Sequence, residues 1–366
     1  MRVLIIRFSS FGDIFQALVV PPELRRAWKI ERLSWLTRAD FADLLRNQES
    51  IDEVIAFDRR ASLLDLITLA WRLGDQFDTI YDAHANLRSL VVRWVIRVRW
   101  FSRGHFHRSV FIRSKERIRR LLFFKLRLNS LPSPYRGAES FLWPLFKDIR
   151  AASRANRRAG SHAGKLNGQS NGGSFDLSKR TWRPDELNAD FLSWHSVGTG
   201  PIIAFAPSAA WPNKRWPTER WSELAALLIS RRPELRYVLL GGPEDGFLNT
   251  IAETLGTKRA FNGVGRLTLV ESASLLSACQ LVVANDTGLL HVADRLQIPI
   301  VAIIGPTAFG YPSSPLAKVA EVDRQQLPCK PCSKDGRDPC RNPENLKCLT
   351  DITVAHVANL ALESLV

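Results

Sequence analysis

Leu281-Val282-Val283-Ala284-Asn285-Asp286-Thr287-Gly288-Leu289-Leu290-His291 runs from a short apolar segment straight into a helical pattern, with Asn-Asp-Thr-Gly at the joint. A buried strand ending this way puts a carboxylate, a hydroxyl and a glycine backbone at the start of a helix. Phosphate is bound cheaply there, because the first helical N–H groups lack intrahelical partners and the helix dipole favours an anion. The next apolar run, Ile300-Val301-Ala302-Ile303-Ile304, closes on Gly305-Pro306-Thr307, a second small-residue loop at the same sheet edge. Two such loops after successive strands predict a nucleotide-type ligand at the carboxyl ends of a parallel sheet.

Upstream, the same alternation recurs. Pro201 to Phe205 reads as a strand leading into Ala206-Pro207-Ser208-Ala209, then a helix from about Thr218 to Arg231. Tyr237 to Leu240 is the next strand, closed by Gly241-Gly242-Pro243, with helices from about Asp245 to Leu255 and from Leu269 to Ala278. In the first third, Val3 to Phe8 reads as a strand, Ser9 to Asp13 as a loop, and Ile14 to Trp28 as a helix interrupted at Pro21-Pro22. Strands at Arg32–Leu36, Val54–Phe57 and Thr79–Asp82 alternate with helices at Phe41–Asn47 and Leu63–Leu73. Such alternation predicts parallel α/β sheets.

A chain of 366 residues is long for a single core. The expected architecture is therefore two Rossmann-like, doubly wound α/β domains facing each other across a cleft. The boundaries fall at 1–185 and 196–348, with 349–366 as a C-terminal helix. Residues 151–174, rich in Ala, Gly, Ser, Asn and Arg, have little to bury and read as a mobile insertion or linker. No window offers the ~18 or more apolar residues of a membrane span. The apolar run Val3-Leu4-Ile5-Ile6 stops at Arg7, which fits a first strand better than a leader peptide and points to a cytoplasmic protein.

The formal charge of +15 implies an anionic partner. Much of it lies between Arg88 and Arg127, where thirteen Lys or Arg face one acid, Glu116, with seven Trp or Phe interleaved. Solvated helix faces, a nucleic-acid surface and an interfacial amphipathic surface all fit this composition. No helix-turn-helix, zinc-finger or RNA-recognition signature supports nucleic acid. Arg88, Arg93, Arg97, Arg117 and Arg120 are accordingly read as an acceptor or membrane face. Four of five cysteines form a Cys-x2-Cys pair, Cys329 and Cys332, then Cys340 and Cys348 at seven-residue gaps. Four thiolates can hold a structural zinc; buried thiols or a local disulfide are the favoured alternatives. Cys279 reads as a small core residue.

Taken together, Ile5 to Asp13, Lys214-Arg215-Trp216-Pro217 with Trp221, Asn285 to Gly288 with His291, and Gly305-Pro306-Thr307 resemble the ADP-heptose:lipopolysaccharide heptosyltransferases, glycosyltransferase family 9. Asn262-Gly263 before a Leu-rich helix also fits. The resemblance runs from Met1 to about Val366 and is weakest from Arg88 to Ser196. It implies a GT-B fold, an inverting mechanism, an ADP-heptose donor and a lipopolysaccharide-core acceptor at the cytoplasmic face of the inner membrane. No cofactor and no catalytic metal are implied. Segment 151–174 departs from the family's compact pattern. So does Phe15 to Pro21, where the family usually carries more Leu and Thr.

The resemblance also gives roles to single residues. Asp13, otherwise a candidate helix cap, becomes the general base that takes the acceptor proton. Lys214, otherwise a solvated surface lysine, becomes a ligand of the donor diphosphate, with Ser208 beside it. Asp286 orients the heptose while Thr287 and the Gly288 N–H meet the phosphates; a helix cap is the alternative for Asp286 or Thr287. His291 supports the Asp286 loop, Glu244 is placed for ribose hydroxyls or for the helix dipole, and Thr307 adds a hydroxyl. Arg215 is either a phosphate contact or a salt-bridge partner. The alternatives in function are a GT-B transferase for another nucleotide sugar, or a non-catalytic nucleic-acid- or membrane-binding protein on this scaffold.

Overall fold

The computed structural model describes residues 1–46, 48–128, 130–145, 180, 182–184 and 186–365, so the expected linker at 151–174 lies outside the described residues. The chain divides into two compact units: residues 1–117 with 138–181, and residues 118–137 with 182–366. Part of the basic stretch, 118–137, therefore belongs with the second unit.

The first unit is built on strands β1 (Arg2–Ile6), β2 (Arg32–Arg38), β3 (Glu53–Phe57), β4 (Thr79–Asp82) and β5 (Ser109–Ile112). They form one parallel sheet in the order β3-β2-β1-β4-β5. Its central strands are buried along almost their whole length, because helices cover both faces and leave no wet side to alternate towards. Leu4, Ile6, Ile80, Val92, Ile96 and Trp100 pack in its core. Each such buried side chain contributes roughly 1.5–3 kcal/mol relative to exposure. The two longest helices here, Leu63–Gly74 and Leu87–Ser102, both start with capping boxes, Ser62 with Asp65 and Asn86 with Ser89. The interruption expected at Pro21-Pro22 falls earlier. Helix Phe11–Ala17 ends at Leu18 and a second helix, Val20–Ala27, carries the prolines in its first turn. Proline is tolerated there because the first-turn N–H has no intrahelical acceptor to lose.

The second unit has strands β6 (Ile202–Ala206), β7 (Arg236–Leu239), β8 (Ala260–Asn262), β9 (Leu281–Asn285), β10 (Ile300–Ile303) and β11 (Ala317–Ala320). All are parallel, in the order β11-β10-β9-β6-β7-β8. Phe205, Trp221, Tyr237, Val283 and Ile303 form the core, with the Phe205 and Trp221 rings edge to face at 5.2 Å. The C-terminal helix, Val354–Leu362, buries Val357, Ala358 and Ala361 in the same core.

Both sheets reverse winding direction at their centre, between β1 and β4 in the first and between β6 and β9 in the second. In open α/β sheets the crevice outside such a reversal is where ligands bind. Asp13 follows β1, and Asp286 follows β9.

Candidate functional site

In the second unit the last residue of β9 organises the loops. Asn285, fully buried, donates from Nδ2 to the Pro207 carbonyl at 2.6 Å and accepts the Trp216 backbone N–H at 3.2 Å. One amide thus ties the loop after β6 to the Lys214 loop, a role that the sequence pattern alone does not disclose. The Trp216 indole in turn donates to the Ile352 carbonyl at 3.0 Å. With this anchor, the short 3₁₀ turn Pro212–Lys214 presents Lys214 inward. Its Nζ lies 2.9 Å from Asp286 Oδ2, and both side chains are nearly buried.

Asp286 also accepts the Thr307 hydroxyl at 2.8 Å. Burial opposes its charge, but the Lys214 ammonium, nearby His291 and the hydrogen bonds from Lys214 and Thr307 outweigh burial and hold its carboxyl below the usual range. Space is tight around the pair. A Cβ on Gly310 would collide with the Asp286 carboxylate, and one on Gly336 would overlap the Lys214 stem.

Asp286 is therefore an ion-pair partner and not a helix cap. Thr287 occupies the N-cap position of helix Gly288–Leu296 in an extended conformation and makes no side-chain cap hydrogen bond. His291 is buried one turn into that helix. Ser208 sits part-exposed in the loop after β6. After β7, Glu244 is exposed, and its neighbour Asp245 turns inward instead, accepting the Gly242 N–H at 2.9 Å and pairing with Arg215 at 3.2 Å. Arg215 further donates twice to the Ala209 carbonyl, at 3.0 and 2.8 Å, so it is a structural salt-bridge partner.

In the first unit Asp13 stands in the first turn of helix Phe11–Ala17, whose N-cap is Ser10. Ser10 Oγ donates to Asp13 at 2.9 Å and the Arg7 guanidinium approaches to 2.5 Å. Arg7 is 4% exposed and also donates to the Ala83 carbonyl at 2.8 Å. Asp82, at the end of β4, accepts the backbone N–H groups of His84 and Ala85 and faces Arg93 at 2.7 Å. His84 accepts the Phe8 N–H on Nδ1 at 3.0 Å. Burial, reinforced by Arg7 and Lys115, pushes its imidazole down to about 3. Arg113 and Lys115, on the segment after β5, complete the surroundings of Asp13; neither stood out in the sequence.

Of the five arginines expected on one face, Arg88, Arg97 and Arg117 are exposed. Arg93 turns in to Asp82, and Arg120 donates to the Tyr135 hydroxyl at 3.0 Å and lies 4.0 Å over the Phe309 ring. The helix Leu87–Ser102 does expose Leu87, Leu90, Trp94, Val98 and Phe101, whose three- and four-residue steps make one stripe.

All five cysteines are free thiols, and no disulfide joins them. Among the described residues no group of three or more His, Cys, Asp or Glu side chains is placed to hold a metal ion. Burial first, then the neighbouring thiols, pushes the Cys348 thiol up to about 12. Cys279 is buried, as a core residue should be. No helix among the described residues is long and apolar enough to cross a membrane.

Residues 164–340 match the family model described as glycosyltransferase family 9 (heptosyltransferase). Over 129 residues the chain is 37% identical to lipopolysaccharide heptosyltransferase 2 of Escherichia coli K12, covering 34% of this chain and 36% of the relative. It therefore spans about a third of the length of that curated relative. A longer and weaker match, 23% identical over 344 residues, reaches lipopolysaccharide heptosyltransferase 1 of Pseudomonas aeruginosa, covering 91% of this chain and 86% of the relative. The structure of E. coli ADP-heptose lps heptosyltransferase II superposes with a TM-score of 0.66 at 21% identity, covering 100% of this chain and 98% of the other, which shows the shared GT-B fold. Over residues 164–340 the chain is thus similar to glycosyltransferase family 9, the heptosyltransferase family.

Proposed function

We propose that this protein is an inverting glycosyltransferase that moves heptose from ADP-heptose to the inner core of lipopolysaccharide. The observation that carries this reading is the buried Lys214–Asp286–Thr307 cluster at the carboxyl edge of β9 and β10, beside an open helix start at Thr287 and Gly288. A lysine ammonium and unpaired helical N–H groups are what a departing diphosphate needs, and one such donor is worth roughly 3 kcal/mol in the transition state. Asp286 orients the sugar hydroxyls, and Ser208 and Glu244 lie on loops of the same sheet edge. No cofactor or metal enters this reading.

Asp13 takes the proton of the acceptor hydroxyl, and that oxygen forms the new bond to the anomeric carbon. The bond from that carbon to the β-phosphate oxygen breaks on the opposite side, and its electron pair leaves with ADP. The Arg7 guanidinium and Ser10 hydroxyl hold the carboxylate in one orientation. The exposed stripe on Leu87–Ser102, with Arg88 and Arg97 beside it, is the face that meets an anionic inner-membrane surface carrying the lipid acceptor.

The test is ADP release from ADP-heptose with heptose-deficient Kdo-lipid A, comparing wild type with Asp13→Ala and Lys214→Ala. Loss of turnover in Asp13→Ala with donor binding kept supports the reading. Folded wild type that turns nothing over but binds another nucleotide sugar, or RNA, sinks it.

A further inference from the structure

The Lys214–Asp286–Thr307 cluster is gripped by the loop between Cys332 and Cys340. At its start, the Cys332 and Ser333 N–H groups donate to the Pro306 carbonyl at 3.1 and 3.2 Å, and Ser333 runs parallel to Thr307 as a one-residue bridge. Thr307 is the hydroxyl partner of Asp286. At its far end the loop reaches the other partner. Asn213, one residue before Lys214, donates from Nδ2 to the Asp338 carbonyl at 2.8 Å, a contact between residues 125 apart in the chain. Ser333, 1% exposed, closes the loop on itself: its hydroxyl donates to Asp338 Oδ2 at 2.7 Å and accepts the Gly336 N–H at 3.0 Å. Arg337 lies 4.9 Å over the ring of Trp211, which enters the 3₁₀ turn that carries Lys214.

Gly336 stands at the tip of this loop with φ +85°, in the left-handed region, and its backbone lies against the middle of the Lys214 stem. A Cβ there would come within 2.4 Å of Lys214 Cγ and 2.6 Å of Cδ, far inside the spacing of non-bonded carbons, so the stem would have to swing away. We propose that the loop Ser333–Asp338 is a positioning element for the donor diphosphate, with Gly336 as the residue that sets where the Lys214 ammonium stands. A lysine free in solvent loses rotamer freedom when it meets a phosphate; one whose stem is already confined loses less and binds more tightly. The same loop holds Thr307 in place through Pro306, so both partners of Asp286 answer to it. The inference rests on Lys214 meeting the donor diphosphate.

The experiment titrates ADP and UDP into the full chain by calorimetry, for Gly336→Ala and Asn213→Ala, each alone and combined with Lys214→Ala. Gly336→Ala should weaken ADP binding by roughly tenfold, the size of one charge-assisted contact. In Lys214→Ala, which lacks the stem, the same substitution should change ADP affinity by no more than about twofold, as independent sites do. A loop that only stabilised the fold would weaken binding equally in both backgrounds. Asn213→Ala removes one exposed hydrogen bond and carries the test if Gly336→Ala does not fold; its loss should be roughly threefold, again only with Lys214 present. Unchanged ADP affinity in the folded single variants overturns the proposal, and so does an equal loss with and without Lys214. If wild type binds UDP in place of ADP with the same dependence on Lys214, the positioning loop stands and the ADP-heptose reading falls. If wild type binds neither nucleotide, both fall.

Discussion

Asp13 and Asp286 look alike in the sequence, each an acid in a loop before a helix, yet the fold holds them differently. Asp286 is nearly enclosed by Lys214, Thr307 and the backbone at Gly310. Removing one member of a buried pair leaves the other uncompensated, so Asp286→Ala should destabilise the second unit by about 3–5 kcal/mol in urea unfolding. Asp13 keeps a 37% exposed side chain. Its removal should lower kcat by ~10²–10⁴, the usual range for a general base, with the affinity for ADP-heptose unchanged. A fall in donor affinity of equal size would assign Asp13 to binding and not to proton transfer.

Protons separate two further residues. His84 must be neutral to accept the Phe8 N–H. Its folded-state value, about 3, lies below the ordinary 6.5, so the unfolded chain binds the extra proton between them. Stability should therefore fall as the pH drops from about 6.5 towards 3, and less steeply in His84→Asn, read as urea midpoints at several pH values. Lys115 likewise gives up its proton more readily in the fold than in the open chain, because burial and then Arg7, Arg113 and Arg117 oppose its charge.

At the scale of elements, the sequence was most readable where a pattern repeats. The strand Thr79–Asp82 and the helix Thr218–Arg231 lie where their periodicity put them, because both carry continuous apolar faces bounded by clear stops. The Asn-Asp-Thr-Gly joint was legible for the same reason: strand, turn and helix are contiguous in the chain. Asn285 could be quoted but not understood, since its two partners lie 69 and 78 residues away. Arg113 and Lys115 were hidden more deeply, because they reach Asp13 only after β5 joins the far edge of the sheet. Asn285→Ala should strand a buried carbonyl and a buried N–H, costing roughly 2–4 kcal/mol by differential scanning or urea unfolding. The same variant should raise the KM for donor, because the Lys214 loop loses its tie.

For the whole molecule, the excess of +15 acts together with the stripe on Leu87–Ser102. A monomer rarely leaves Trp94 and Phe101, 67% and 71% exposed, on one helix face with Leu87 and Leu90 unless something covers them. Co-sedimentation with vesicles rich in anionic lipid should be clear at low salt and weaken as the Debye length shrinks from about 10 Å to 3 Å. Trp94→Ser with Phe101→Ser should remove the part that survives high salt. If those variants bind vesicles like wild type but change the oligomeric state, the stripe faces another copy of the chain and not lipid.

The cysteine-bearing tail loop is stitched to the cluster it lies beside. The Cys332 and Ser333 N–H groups both donate to the Pro306 carbonyl, Asn213 donates to the Asp338 carbonyl, and Gly336 packs on the Lys214 stem. Any nucleotide that draws Lys214 off Asp286 must pull on this loop. The free thiols are thereby a built-in gauge of occupancy: their alkylation rate should change when ADP saturates the protein and stay constant in Lys214→Ala. Donor engagement could then be followed with a thiol reagent alone, before any acceptor has been identified.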